Sequence, residues 1–220
     1  MANIEQLPGI PIDGRKSASI ARNRLALLRA TQEAIAEHGS DVTTDQIAET
    51  AGITVSTIYQ HFENKDELIM AANVLAFRDW EQWAESIAGQ SDDKLKRLVM
   101  PLRLMIRMNT THPLTAKVGV SNLASLYEQI PLFMTGFSRN LESLNELRLF
   151  DPSEIELRAS NVTNCAVAAF VRHVKDPSFS ERDADEAVRI SLKMLNIDDV
   201  RAQELFNEEL PELSLVNPDR

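Results

Sequence analysis

Apolar residues recur along the chain at spacings of three and four, and few stretches alternate with period two. This pattern predicts an all-α protein. A first helix is expected from about Ser19 to His38, with Leu25, Leu28 and Ile35 on one face and Gly39 placed to end it. A second helix follows Thr43, with Gln46 at the capping-box position, and a third follows Thr54. Asn64 opens a fourth, with Glu67 at its box position, and "KDELIMAANVLAFRDWEQWAESIAG" carries it to about Gly89. Further helices are expected over 92–109, 113–121, 122–146, 153–175, 180–196 and 198–206. Pro101 should kink or split the first of these. Asp151-Pro152-Ser153-Glu154 looks like a capped start of the helix over 153–175.

The composition shifts near residue 65. The expected organisation is an N-terminal arm over 1–17 with Pro8, Gly9, Pro11 and Gly14, a small module over 18–65, and a larger helical body over 66–220. No internal repeat stands out. The sequence start has no long apolar core, and no apolar run approaches the roughly 20 residues that span a bilayer. A cytoplasmic protein without membrane contact is the expectation.

"TTDQIAETAGITVSTIYQHF" has helix-turn-helix spacing. With Thr44 as first position, Ile47 is fourth and faces the neighbouring helix. Ala48 is fifth, at the close crossing, and Ala51 is eighth and inward. Gly52 is ninth, where the turn needs a positive φ. Ile53 and Ile58 anchor the second helix, leaving Thr54, Ser56, Thr57 and Gln60 to point outward. Spacing alone also fits a helix pair with a glycine turn and no DNA role.

The continuation narrows the choice. Thr43-Thr44, Ile47-Ala48, Gly52, Tyr59-Gln60-His61-Phe62 and Asn64-Lys65 with Leu68 closely resemble the TetR family of transcriptional regulators, over roughly residues 20–70. The resemblance implies an N-terminal helix-turn-helix domain and a C-terminal helical domain for ligand binding and dimerisation. It implies a DNA surface made of Thr43, Thr44, Thr54, Val55, Ser56, Thr57, Tyr59, Gln60, His61 and Lys65. Thr44, Tyr59, His61 and Lys65 suit phosphate oxygens, which fix register. Val55 can touch a thymine methyl, and Ser56 or Thr57 a base edge. Asp45 departs from members that carry a basic residue there. An acid in the first turn of a helix is its plainer role.

Charge complicates this picture. The chain carries a formal net charge of -10. Arg15, Lys16, Arg22, Arg24 and Arg29 form a basic stretch without an acid, and the region after Ser180 is rich in Asp and Glu. Local field, not net charge, decides contact with a phosphate. Affinity is expected to lean on hydroxyls, the N-termini of the second and fourth helices, Lys65 and the basic stretch. The salt dependence should therefore be shallow.

Phe77, Trp80, Trp83, Met105, Met108, Phe133, Met134 and Phe137, with Met100, lie at helical spacings and are candidates for plain core. The resemblance implies a small-molecule pocket in this region, which such residues suit. Asn161, Thr163 and Asn164 can line that pocket or meet at an interface. "ASNVTNCAVAAFVRHV" is rich in small residues. With residues 181–196 it forms either an intramolecular pair or, as the resemblance implies, half of a homodimer interface. His38, His61, His112 and His173 show no metal-ligand spacing, and lone Cys165 suits a buried position. No catalytic motif and no cofactor signature is found. The expected function is a dimeric, operator-binding regulator released by a small, largely apolar ligand. Repression is the first reading. An activator, a corepressed regulator, a helical adaptor without DNA binding and a helical enzyme are the alternatives.

Overall fold

In the computed structural model, residues 14–121 and 152–210 are described, and they are helical throughout with no strand among them. The expected N-terminal arm up to residue 13, the helix over 122–146 and the candidates Phe133, Met134 and Phe137 lie outside these residues. The helices are α1 (Gly14–His38), α2 (Thr44–Ala51), α3 (Val55–Ile58), α4 (Lys65–Ala88), α5 (Lys94–Ile106), α6 (Met108–Thr111) and α7 (Pro113–Ser121). After the gap come α8 (Ile155–Lys175), α9 (Glu181–Ser191) and α10 (Asp199–Asn207).

Several boundaries differ from those expected. Helix α1 starts at Gly14, inside the expected arm, because no proline or turn signal interrupts the chain between Gly14 and Arg29. Pro101 neither splits nor ends α5. The break falls at Arg107, whose carbonyl accepts from the hydroxyls of Thr110 (2.9 Å) and Thr111 (3.0 Å). Hydroxyls that compete for backbone groups in this way favour a turn over continued helix. Pro152–Glu154 form a 3-10 turn, and Glu154 precedes α8 without a side-chain cap. Ser180 and Asp183 form a capping box for α9. The last turn of that segment tightens to a 3-10 helix over Leu192–Leu195 and stops at Asn196 in the left-handed region (φ 54°).

The apolar residues form two clusters that meet along α4. The first joins Leu28 and Ile35 of α1, Ile47 and Ala48 of α2, Ile58 and Phe62, and Leu68, Ala72 and Leu75 of α4. The second starts at Phe77 and Trp80 and continues through Leu98, Leu104 and Met108 to Val162, Phe170, Val188 and Leu195. Polar ties fasten α1 along α4: buried Gln32 donates to the Ala72 carbonyl at 2.9 Å, and Arg29 pairs with Asp79 at 3.5 Å. Burial raises the Asp79 carboxyl above the ordinary range, and Arg29 offsets this in part. A half-exposed ion pair of this kind contributes about 1 kcal/mol or less, whereas each buried Leu or Ile contributes about 2 kcal/mol. Apolar packing therefore holds α1 on α4, and the polar ties set its register.

Helix α7 joins the two clusters. Its Ala116 packs in the second, while Val118, 1% exposed, packs in the first. Helix α7 also lies against α1 and the 3-10 turn over Gly39–Asp41. At Gly119 a Cβ would sit 2.8 Å from Phe77 Cζ, so only glycine lets α7 approach α4 this closely. At the far end of the second cluster, Arg103 of α5 reaches the end of α10. It donates to the carbonyls of Leu205 (2.9 Å), Phe206 (3.2 Å) and Glu208 (3.0 Å). It thus caps orphan carbonyls of a helix about a hundred residues away in sequence. Arg107 grips Asp185 and Glu181, fixing α9 on the same surface.

His112, 9% exposed, sits between α6 and α7. Its Nδ1 lies 3.0 Å from the Thr111 hydroxyl, and its ring meets Trp83 of α4 edge-on at 4.5 Å. Burial disfavours the imidazolium and lowers the pKa from 6.5 to about 4. The unfolded chain takes up this proton as pH falls through 6.5, and the folded chain only near 4. His112 therefore leaves stability intact above pH 6.5 and erodes it as pH falls from 6.5 to 4, by at most about 3 kcal/mol. Urea midpoints measured across this window should fall for the wild type and flatten for His112→Gln. Gly119→Ala should cost about 1–3 kcal/mol, read as a lower urea midpoint with an unchanged m value.

Candidate DNA-binding site

The site is built by α2, the turn after it and α3. Thr43 caps α2: its hydroxyl accepts from Gln46 N at 3.3 Å, and Gln46 Oε1 accepts from Thr43 N at 2.8 Å. Gly52 ends α2 with φ 65°, and its N–H donates back to the carbonyls of Ala48 and Glu49. Ile53 N donates to Ala48 O at 3.0 Å, completing the helix stop and turning the chain into α3. An alanine there would strain the left-handed backbone. Ile47 and Ala48 of α2 and Ile58 of α3 are buried, which orients both helices on α1.

Burial of Ile58 and Phe62 turns the opposite side of α3 outward. Thr54, Ser56, Tyr59 and Gln60 are exposed, and Tyr59 is 51% exposed. Thr54 caps α3 and is the hub of a hydroxyl cluster, 2.8 Å from Ser56 Oγ and 2.9 Å from Thr57 Oγ1. Each hydroxyl has one donor and two acceptor sites, so the cluster is satisfied internally and can re-pair with a base edge. Val55 and Thr57 are half-buried at the flanks of this surface.

Other expected contributors are committed to structure. Thr43 spends its hydroxyl on the α2 cap, while Thr44 is half-buried at the first position of that helix. Lys65 Nζ donates to the Val42 carbonyl at 3.2 Å, tying the start of α4 to the segment before α2. One N–H in the first turn of α4 is also capped within the chain. Glu67 N donates to Asn64 Oδ1 at 2.8 Å, and Glu67 Oε2 accepts from Glu63 N at 2.7 Å. With Asp66 and Glu67 in its first turn, this helix end favours a phosphate less than expected.

The basic stretch needs the same correction. Arg24 points inward: its Nη1 donates to the His61 carbonyl at 3.0 Å, its guanidinium stacks 4.2 Å from the Phe62 ring centre, and Glu67 lies 3.9 Å away. Arg29 is held by Asp79. Both arginines build the module, and Arg22 is the exposed basic residue in that part of α1. A sequence pattern records that a residue is basic, not which side of the helix its partner lies on.

In the second cluster, Phe77, Trp80, Met105 and Met108 are buried together, and Trp83 is half-buried against His112. His112, Val118 and Gly119 belong to this junction and were not singled out from the sequence as site residues. The one available signal was the single glycine within the helix expected over 113–121. On α8, Thr163 is buried, Asn161 is exposed, and Asn164 and Cys165 are half-buried. The three polar residues thus do not share one face. Among the described residues no group of His, Cys, Asp or Glu is arranged to hold a metal ion, and no helix is long and apolar enough to cross a membrane.

Residues 27–72 match the family model of bacterial regulatory proteins, tetR family. No curated protein matches the sequence. The whole fold is similar to RolR in complex with resorcinol, at TM-score 0.74 and 19% identity over 90% of this chain and all (100%) of that one. It is also similar to the fatty acid degradation regulator FadR from Bacillus halodurans, at TM-score 0.62 and 18% identity over 78% of this chain and 96% of that one. A third is SmeT, repressor of the Stenotrophomonas maltophilia multidrug efflux pump SmeDEF, at TM-score 0.59 and 18% identity over 77% and 88%. Residues 27–72, from the middle of α1 into α4, thus form a tetR-family module, and the chain as a whole shares the fold of these solved structures.

Proposed function

We propose that the protein is a cytoplasmic, homodimeric repressor that binds a palindromic operator and releases it when a small, largely apolar ligand binds. The reading rests on one observation above others. The Thr54–Ser56–Thr57 hydroxyl cluster stands at the exposed start of α3, beside exposed Tyr59. In this reading α3 enters the major groove, Thr54, Val55 and Ser56 meet base edges, and Thr57, Tyr59 and His61 meet phosphates. The protein carries out no catalysis in this role.

Dimerisation is supported by large apolar side chains left in solvent. Leu157 of α8 is 67% exposed, Ile190 of α9 is 50% exposed, and Met194 just beyond it is 38% exposed. They flank the small and polar stripe of Asn161, Cys165 and Ala168, which lets a second copy approach closely. A two-fold dimer presents two reading helices to two half-sites, and so explains the palindrome. The ligand is assigned to the region of Phe77, Trp80, Trp83, Met105 and Met108. Phe133, Met134 and Phe137 are assigned to the same site from the sequence. RolR, of similar fold, is known in complex with resorcinol, so small aromatic compounds are the first class to try. Release follows from linkage: the ligand can shift the DNA equilibrium only by its differential affinity for the two states.

Selection from a random duplex pool should enrich a palindrome. Tyr59→Ala should then weaken binding to it by about 1–3 kcal/mol, while the urea midpoint stays within about 0.5 kcal/mol of wild type. A pool that shows no enrichment with or without ligand would contradict the reading. With two arginines and Lys65 committed to structure, log K against log salt should have a slope shallower than about -5.

A further inference from the structure

A cleft of about 260 Å³ opens between α1, the turn after α2 and α3. Leu27, Ala51 and Ile53 give it an apolar floor, and Asn23, Thr57 and His61 bring polar groups to it. No acidic residue lines it, although the chain carries a net charge of -10. The cleft continues the surface of α3. Thr54, Ser56, Tyr59 and Gln60 face outward from α3 and its flanks, and Thr57 and His61, four residues apart, line the side towards α1.

We propose that this cleft seats one sugar–phosphate strand of the bound duplex, with Asn23 of α1 as a backbone contact that fixes how deeply α3 enters the groove. The proposal rests on the operator-binding reading and adds a site to it. A helix lying in a major groove about 12 Å wide has a strand along each flank, and on one flank of α3 the protein presents this cleft. A deoxyribose-phosphate strand is amphipathic. Its sugar C–H face matches Leu27, Ala51 and Ile53, and its phosphate oxygens match the Asn23 amide, the Thr57 hydroxyl and the His61 ring. The two polar residues from α3 are positioned for this. The Thr57 hydroxyl is anchored at 2.9 Å to Thr54 yet keeps bonding capacity, and Arg24 fixes the His61 backbone through its carbonyl at 3.0 Å. Arg24 thus serves DNA binding from inside, as a positioning residue, while the contact itself is made by an amide, a hydroxyl and an imidazole. This is how a strongly acidic chain can hold a polyanion with few lysines at the interface.

Titrations of the selected operator by fluorescence anisotropy test this. Asn23→Asp places a carboxylate at the proposed strand and should weaken binding about tenfold or more. Gln82→Asp, the same charge change on the exposed side of α4, should leave affinity within about twofold. A scan with single methylphosphonate linkages should find a position that weakens wild-type binding but adds little to the loss in Asn23→Ala. Urea midpoints close to wild type confirm that the variants fold. If Asn23→Asp binds like wild type while Tyr59→Ala does not, the cleft is unused and operator binding stands. A loss in Asn23→Asp with no coupled phosphate overturns the contact as well. If wild type enriches no duplex, the operator-binding reading fails, and the strand assignment fails with it.

Discussion

Val118 belongs to α7, deep in the larger part of the chain, yet its side chain lies in the core that α1, α2, α3 and α4 share. Burying a valine contributes about 1.5–2 kcal/mol, comparable to the other core contacts of so small a module. The reading helices are therefore oriented by a core that the body helps to complete. One residue further on, Gly119 lets α7 lie against Phe77 of α4. Among the described residues the module is connected to the rest by the continuous helix α4 and by the packed contact of α7. Helix α7 lies against both α4 and α1, and α1 lies against α2, so the seating of the module shares its contacts with the α4–α7 junction. His112 and Trp83 lie at that junction, where the α6–α7 bend meets α4.

In the proposed operator-binding role, the tension between an acidic chain and a polyanionic partner is resolved by dividing labour. Arginines that look available in the sequence are spent inside. Arg24 holds the end of α3, and Arg29 fixes α1 on α4. The surface itself carries hydroxyls, an amide and a phenol. Such groups give up solvent more cheaply than ammonium or guanidinium groups do, and they distinguish base edges by geometry. In that role the cost would be affinity at low salt, because few counterions would be released.

Local chemistry was legible in the sequence. Thr43 with Gln46, Gly52, Thr54 and Asn64 have side-chain or backbone partners within a few residues, and each performs the capping or turning role its position implied. The helix-turn-helix spacing pointed to the outward positions Thr54, Ser56 and Gln60, while Thr57, read with them, lies half-buried at the flank. What the sequence hid depends on distant partners. Lys65 looks free until the Val42 carbonyl is placed beside it. Arg103 reads as a stray charge on an apolar helix until α10 ends against it. Pro101 does not split its helix: its local cost is visible in sequence, whereas the buried contacts that hold α5 together around it are not. No single-chain pattern could place Val118 in the neighbouring core, since its helix reads as part of the body on both sides.

The central claim is that the Val118 contact, beside the continuous helix α4, couples the body to α1, α2 and α3, and native-state hydrogen exchange of Val118→Ala tests it most directly. The account predicts that amides of α1, α2 and α3, including those of Ile47 and Ile58, lose protection together with those of α7. Loss of protection confined to α7 and its body neighbours, with α2 and α3 exchanging as in wild type, would contradict it.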